Sequence, residues 1–175
     1  AIATAAPSRL VYLYGEGFLN SENFVQANQA HLGGTHIGAF NDRVRDAVRG
    51  GGCCDSGASL VTNQGFANGL CYDVNSGAGG ACSSNMQASL FSAQNLIRAS
   101  MAAALTTYAG NNGISYNGTP AAFAQNPDED INYVGSHDGE TLWDISSLKH
   151  PSGTLSADRA RAQVVALSTV LLGQG

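Results

Sequence analysis

The chain has 175 residues, 43% of them apolar and only 12% charged, with a formal net charge of -5. That profile describes one globular domain with a sizeable core and excludes several classes. There is no basic patch suited to nucleic acid, no run of about 18 apolar residues to span a bilayer, and no basic-then-apolar leader.

In chain order, residues 1–8 read as a small-residue lead-in. Arg9-Leu-Val-Tyr-Leu-Tyr-Gly-Glu-Gly17 follows. Its apolar run over 10–14 is too short for a typical helix and predicts a buried parallel strand. Glu16 then stands at the C-terminal end of that strand. In barrels and doubly wound sheets, loops converge there and glycines admit close backbone approach. A solvated turn carboxylate is the plainer alternative for Glu16. A polar stretch leads to residue 29, and His31-Leu-Gly-Gly-Thr-His-Ile-Gly-Ala-Phe40 predicts a short strand entered through a flexible loop. The alternating charges of Asn41-Asp-Arg-Val-Arg-Asp-Ala-Val-Arg49 fit either a solvated helical face or a polar cluster lining the same mouth as Glu16. Residues 50–80 form a long glycine- and serine-rich excursion.

Leu90, Ile97, Met101, Leu105 and Tyr108 recur at helical spacing. They predict a helix over 85–108, capped by Ser84 or Asn85 and ended by Gly110, with Met101 and the aromatics in the core. Residues 113–123 predict a hairpin on Asn117-Gly118. This turn chemistry also explains the glycosylation sequon at Asn117. A strand over 131–134 then delivers His137 and Asp138 just past its end, as the first strand delivers Glu16. Paired carboxylates across a sugar-binding cleft are what glycosidic cleavage requires, one protonating the leaving oxygen and one stabilising or trapping charge at the anomeric carbon. Residues 156–172 predict a helix capped by Ser156, with Val164, Leu167 and Leu171 as its apolar face. The four cysteines, Cys53, Cys54, Cys71 and Cys82, lack zinc-site spacing, and an adjacent pair is awkward to bridge. They read as reduced structural thiols in a reducing compartment.

These βα units supply about half of the eight repeats of a barrel, so the expected fold is α/β: a partial (β/α)8 TIM barrel, cut from a larger protein. Such an open half barrel would leave sheet edges and a hydrophobic face uncovered.

In order, Tyr12-Leu-Tyr-Gly-Glu-Gly17, the segment 33–50, Asn63-Gln-Gly-Phe-Ala-Asn-Gly-Leu70 and the segment 131–144 resemble the pullulanases and limit dextrinases. These are starch-debranching members of the alpha-amylase superfamily. The resemblance runs from about Leu10 to Gly175, and Ile145-Ser-Ser-Leu-Lys-His-Pro151 looks closer to the plant-type limit dextrinases. It implies that residues 1–175 are the C-terminal half of a catalytic barrel, from the fifth strand region to the start of the eighth. It also implies a retaining hydrolase acting on α-1,6 branch linkages in pullulan, amylopectin and limit dextrins. Glu16 matches the general acid/base and Asp138 the transition-state stabiliser. His137, Tyr14, Phe18, Asn41, Asp42 and Arg43 are the candidate substrate contacts, and the partner is an α-glucan. No cofactor is required, although calcium is possible in the full-length protein; Asp55, Asp73 and residues 128–130 could offer oxygens but read more simply as solvated acidic turns. The implied location is the plastid for a plant-type protein, and secreted or periplasmic for a bacterial one.

Several positions depart from the family pattern. The nucleophile of these enzymes lies in a Phe-Arg-Phe-Asp-like motif that does not occur here, so the chain is expected to be inactive alone. Phe18 stands where Trp is usual, Gly139 where Asn is usual, His36 where Gly is usual, and Cys53-Cys54 where Pro-Phe or similar would lie. Trp143 reads as a packing residue. Two other classes remain open: a non-catalytic glucan-binding or regulatory protein with a vestigial half-site, and an α-1,4-acting or branching member of the same superfamily.

Overall fold

The computed structural model describes residues 9–18, 28–75 and 81–175. The expected lead-in over 1–8, most of the polar stretch after Phe18 and the last part of the excursion lie outside the described residues. The protein is mixed α/β. Its parallel sheet has three strands, β1 (Leu13–Gly15), β2 (Ile37–Asn41) and β5 (Asp130–Asn132), in the order β1-β2-β5. Gly15 pairs with Ala39, and Ala39 with Asp130, so all three strands point the same way and end at one mouth. Among the described residues the sheet does not close on itself. The hairpin stands where expected: β3 (Ser115–Tyr116) and β4 (Thr119–Pro120) are antiparallel, with Asn117 and Gly118 both at positive φ as the two-residue turn requires.

The first strand differs from expectation. It is parallel but short and exposed, with Leu13 at 46% and Tyr14 at 61% of full exposure. Its outer edge meets no other strand among the described residues.

Helix α1 (Gln29–Leu32) precedes β2, and helix α2 (Asp42–Arg49) follows it without a loop. Asn41 caps α2 by accepting from the Arg43 backbone N–H at 3.0 Å, Asp42 sits in the positive first turn and Arg49 in the last. Val44, Ala47 and Val48 recur at helical spacing and pack against Ala93, Leu96 and Ile97 of helix α4 (Ser84–Met101). Val44 and Val48 are completely buried, each contributing about 1.5–3 kcal/mol. The charges of α2 are not a solvated face: Arg43, Arg45 and Arg49 are all buried.

The excursion after α2, carrying α3 (Ser59–Thr62), folds back on the core. The Phe66 and Ala67 N–H groups donate to Ala47 O and Val48 O, and Asn68 Nδ2 donates to Arg49 O at 2.6 Å. Gly50 and Gly65 permit this approach, since a Cβ on Gly65 would lie 2.2 Å from Gly50 N and 2.6 Å from Val48 O.

Helix α4 is capped by Ser83, which accepts from Met86 N, and it stops at Met101, earlier than its periodicity suggests. Ala103 and Ala104 adopt φ of 54° and 44°, and Ala104 N donates to Ala99 O, so the chain turns back there. The side chains of these two residues are small enough to be buried in that corner. Tyr108, expected on the helix core face, is exposed instead.

Helix α5 (Leu142–Lys149) is capped by Thr141 and packs on α6 (Ser156–Leu171). Trp143 is 39% exposed and only partly a packing residue. Ser156 begins α6 but does not cap it, Leu155 standing at the cap position. The buried residues of α6 are Ala166 and Thr169, whereas Val164, Leu167 and Leu171 face outward. The apolar stripe read from sequence exists but is uncovered. The cysteine reading is overturned: Cys53 bonds Cys54 and Cys71 bonds Cys82, leaving no free thiol among the described residues. Adjacent residues do bridge here, with Cα atoms 3.8 Å apart, and the argument for a reducing compartment falls with the thiols.

Candidate active site

The C-terminal ends of the parallel strands open on a cleft of about 810 Å³. Glu16 enters it immediately after β1, followed by Gly17 and Phe18. Gly17 is at φ 68°, and a Cβ there would stand 2.7 Å from the Ala39 side chain, so the turn carrying Glu16 lies tight against β2. Asp138 reaches the same cleft from the loop after β5. The two carboxylates singled out in the sequence, 122 residues apart in the chain, therefore line one space.

Asp138 is exposed, and its carboxyl is held below the usual range, first by the Ser136 hydroxyl that donates to it and, against the opposing effect of burial, by its own backbone N–H and the neighbouring His137 and Arg45. It is an anion at neutral pH, as a group that stabilises positive charge must be. His137 lines a narrow recess of about 20 Å³ beside the cleft, with Glu16, Phe18, Phe40, Tyr133, Ser136 and Asp138.

Helix α2 supplies the cationic wall because its first turn begins where β2 ends. Asp42 and Arg43 both line the cleft. Arg43 donates through Nη1 to Gln29 and, at 2.5 Å, to Asp42 Oδ1, and through Nε to Ala121 O. Its guanidinium lies 5.0 Å from the Tyr116 ring centre and 4.9 Å from that of Phe123. Stacking of a planar cation between two rings fixes it with little freedom.

Two candidate contacts stand elsewhere. Asn41 is fully buried, with its amide donating to Asn132 Oδ1 and its oxygen capping α2. Tyr14 lies outside the cleft lining, in a run of rings: it stacks on Tyr12 at 5.9 Å and meets Phe40 edge-on at 6.0 Å, while Phe40 meets Tyr133 edge-on at 5.2 Å. Phe18 does line the cleft, with the Arg45 guanidinium 5.9 Å from its ring centre.

Arg45, Gln29 and Cys53 belong to the cleft but were not singled out beforehand. Arg45 donates to Asp46 Oδ1 and to Tyr133 Oη, each at 2.7 Å. Its signal was the alternating charge of residues 41–49, which hydropathy alone assigns to the surface. Nothing local marks Gln29, which donates to Phe40 O of the following strand at 2.7 Å.

Three of the acidic residues considered for calcium are engaged with side chains: Asp55 with Lys149 at 3.1 Å, Asp128 with His36 at 3.0 Å and Asp73 with His150 at 3.7 Å. Among the described residues no group of three or more His, Cys, Asp or Glu is placed to hold a metal ion, and no helix is long and apolar enough to cross a membrane.

Comparison with known proteins gives one consistent relationship, although no protein-family model matches the chain. It is 41% identical over 181 residues to a pullulanase of Klebsiella pneumoniae, covering 94% of this chain and 16% of the relative. It is 39% identical to the chloroplastic pullulanase 1 of Arabidopsis thaliana, covering 94% of this chain and 18% of the relative. The structure matches a Klebsiella pneumoniae pullulanase crystallised with maltotriose, with a TM-score of 0.86 and 38% identity over 99% of this chain and 17% of that one. In sequence and in fold the chain corresponds to a segment of the pullulanases, spanning 16–18% of the length of these curated relatives.

Proposed function

We propose that this chain forms the acid/base side of the active cleft in a retaining, starch-debranching glycoside hydrolase that cleaves α-1,6 branch linkages in pullulan, amylopectin and limit dextrins. The observation that carries this reading is the convergence of Glu16 and Asp138 on one cleft from the ends of separate parallel strands. The sequential order of those strands supports a further assignment, that residues 1–175 are the C-terminal half of a (β/α)8 catalytic barrel, from the fifth strand region to the start of the eighth.

In the proposed reaction Glu16, protonated, gives its proton to the glycosidic oxygen as the C–O bond breaks. Asp138, an anion, orders sugar hydroxyls and offsets the charge growing at the anomeric carbon. His137 and Phe18 contact the sugar from the adjoining recess, and Asp42 and Arg43 from the α2 wall. The covalent step needs a carboxylate nucleophile that these 175 residues do not provide in the expected motif. It comes from the rest of the barrel, and this chain alone does not hydrolyse glucan. Glu16, returned to its carboxylate form, then draws the proton from the water that releases the product.

The test is release of reducing ends from pullulan and from amylose by the full-length protein containing this chain. Release from pullulan with little from amylose supports the reading. The opposite preference would place the protein among α-1,4-acting or branching enzymes, and maltotriose binding without hydrolysis of either would make it a glucan-binding protein.

A further inference from the structure

The Cys53–Cys54 disulfide is used by nothing in the chemistry above, yet Cys53 lines the cleft with Glu16, Phe18, Arg45 and Asp138. Both cysteines are exposed. The loop that carries them is fixed on each side. Before them, Gly50 and Gly51 are at φ 78° and 72°; a Cβ on Gly50 would fall 2.2 Å from Asn63 O, and one on Gly51 1.7 Å from Asp55 Oδ2. After them, Asp55 accepts from the fully buried Lys149 ammonium at 3.1 Å, and that ammonium also donates to Asn63 O at 2.5 Å. On the cleft side, the Cys53 carbonyl oxygen is 4.0 Å from where a Cβ on Gly139 would stand. The disulfide loop therefore abuts the residue following Asp138.

We propose that the Cys53–Cys54 disulfide is a sugar-contact wall of the cleft, presenting a fixed, polarisable surface to the apolar face of a glucose ring and so setting glucan affinity. This rests on the glucan reading of the cleft. A pyranose ring buries C–H faces while its hydroxyls take hydrogen bonds, so it pairs with a surface that is apolar and offers no competing donor. Joined sulfurs meet that need and are locked together. Two thiols would rotate separately, present weak S–H donors and release the turn. A disulfide carries no proton to give or take, so the wall acts on binding and leaves bond cleavage to Glu16 and Asp138.

The chemistry allows the wall to be removed without mutation. A dithiol such as dithiothreitol attacks one sulfur as its thiolate. The mixed disulfide is then displaced by the second thiol, leaving Cys53 and Cys54 as thiols and the reagent as a cyclic disulfide.

The experiment measures maltotriose Kd by calorimetry and pullulan kinetics for the full-length protein, oxidised and reduced, and for its C53S/C54S and C71S/C82S variants. The expected result is a Kd and a KM about fivefold higher on reduction, matched by C53S/C54S, with kcat unchanged and with C71S/C82S behaving as the oxidised protein. A second readout needs no variant: maltotriose should slow alkylation of Cys53 and Cys54 in the reduced protein. Equal Kd in the oxidised, reduced and C53S/C54S forms, with no protection from alkylation, overturns the proposal, as does a reduction effect reproduced by C71S/C82S alone. Absence of maltotriose binding in the oxidised protein overturns the glucan reading itself, and the wall with it. Binding that is intact but insensitive to the disulfide overturns the wall alone.

Discussion

Arg45 Nη1 donates a 2.7 Å hydrogen bond to the hydroxyl of Tyr133, joining the first turn of α2 to the residue just after β5. Both side chains are buried, and the guanidinium lies 5.6 Å from the Tyr133 ring centre. The loop bearing His137 and Asp138 starts from this joint. Burial, only partly opposed by Arg45, pushes the Tyr133 hydroxyl up to about 12, so it remains a neutral acceptor throughout the working range.

Tyr133→Phe removes this bond and leaves the ring. Because the donor is charged, the expected loss is about 1.5–3 kcal/mol of stability. Arg45→Ala removes the cation paired with the half-buried Asp46, leaving it the hydrogen bond from the Tyr116 hydroxyl, and should cost more, about 3–5 kcal/mol. Urea denaturation of both variants checks the order, and a Tyr133→Phe protein as stable as the parent would show the bond to be dispensable.

Asp130 predicts a pH dependence opposite to that of most carboxylates. It is buried beside Asn41 and Asn132, and no cation pairs with it directly among the described residues. Burial raises its carboxyl to about 8, with Asn41, Arg43 and Asn132 offsetting only part of the effect. The folded protein thus keeps a proton that the unfolded chain loses near pH 4. Unfolding releases that proton, so this contribution is fully present below about pH 4 and declines as pH rises through about 8. Asp130→Asn should flatten that limb of the stability profile and raise stability at pH 8. A profile unchanged by the substitution would count against a proton held there.

Glu129 behaves in the contrary sense. Burial opposes its ionisation but is outweighed by backbone N–H groups of His36, Gly34 and Gln125 and by the Asn126 side chain, which hold it down at about 2. Its contribution is present above the ordinary glutamate range and is lost as pH falls through about 2. Glu129→Gln should cost about 1.5–3 kcal/mol at pH 7 and remove most of the difference from the parent below pH 2, as thermal melts across pH will report.

Gly65→Ala tests how the excursion is seated. Its Cβ would meet backbone at 2.2 Å and 2.6 Å, and backbone cannot move aside as a flexible side chain could. The expected cost is at least about 2–3 kcal/mol. Gly57→Ala would meet no atom within 4 Å, and at φ 57° it carries only conformational strain, about 1–2 kcal/mol. Equal melting temperatures for the two variants would contradict this seating.

What the sequence discloses follows from the range of each signal. The Asn117-Gly118 hairpin and the strand ends carrying Glu16 and Asp138 are local, and they stand where local chemistry puts them. The depth of an element depends on its neighbours: residues 10–14 look like a buried strand, but β1 lies at an exposed edge. Val164, Leu167 and Leu171 follow helical periodicity, yet periodicity does not say whether anything covers that face. Arginines read as surface residues until a fold supplies partners, and Arg43 has Gln29, Ala121 and two aromatic rings, none adjacent to it in sequence. Adjacent cysteines give no hint that a glycine turn will hold them together.

The most direct test of the account is the effect of Glu16→Gln on the full-length protein with two substrates, pullulan and an aryl α-glucoside whose leaving group needs no proton. If Glu16 is the general acid, kcat on pullulan should fall about 10²–10⁴-fold, glycosylation by the aryl substrate should fall far less, and added azide should restore turnover by replacing the water that Glu16 activates. Equal losses on both substrates without azide rescue, or full pullulan activity in the variant, would contradict the assignment.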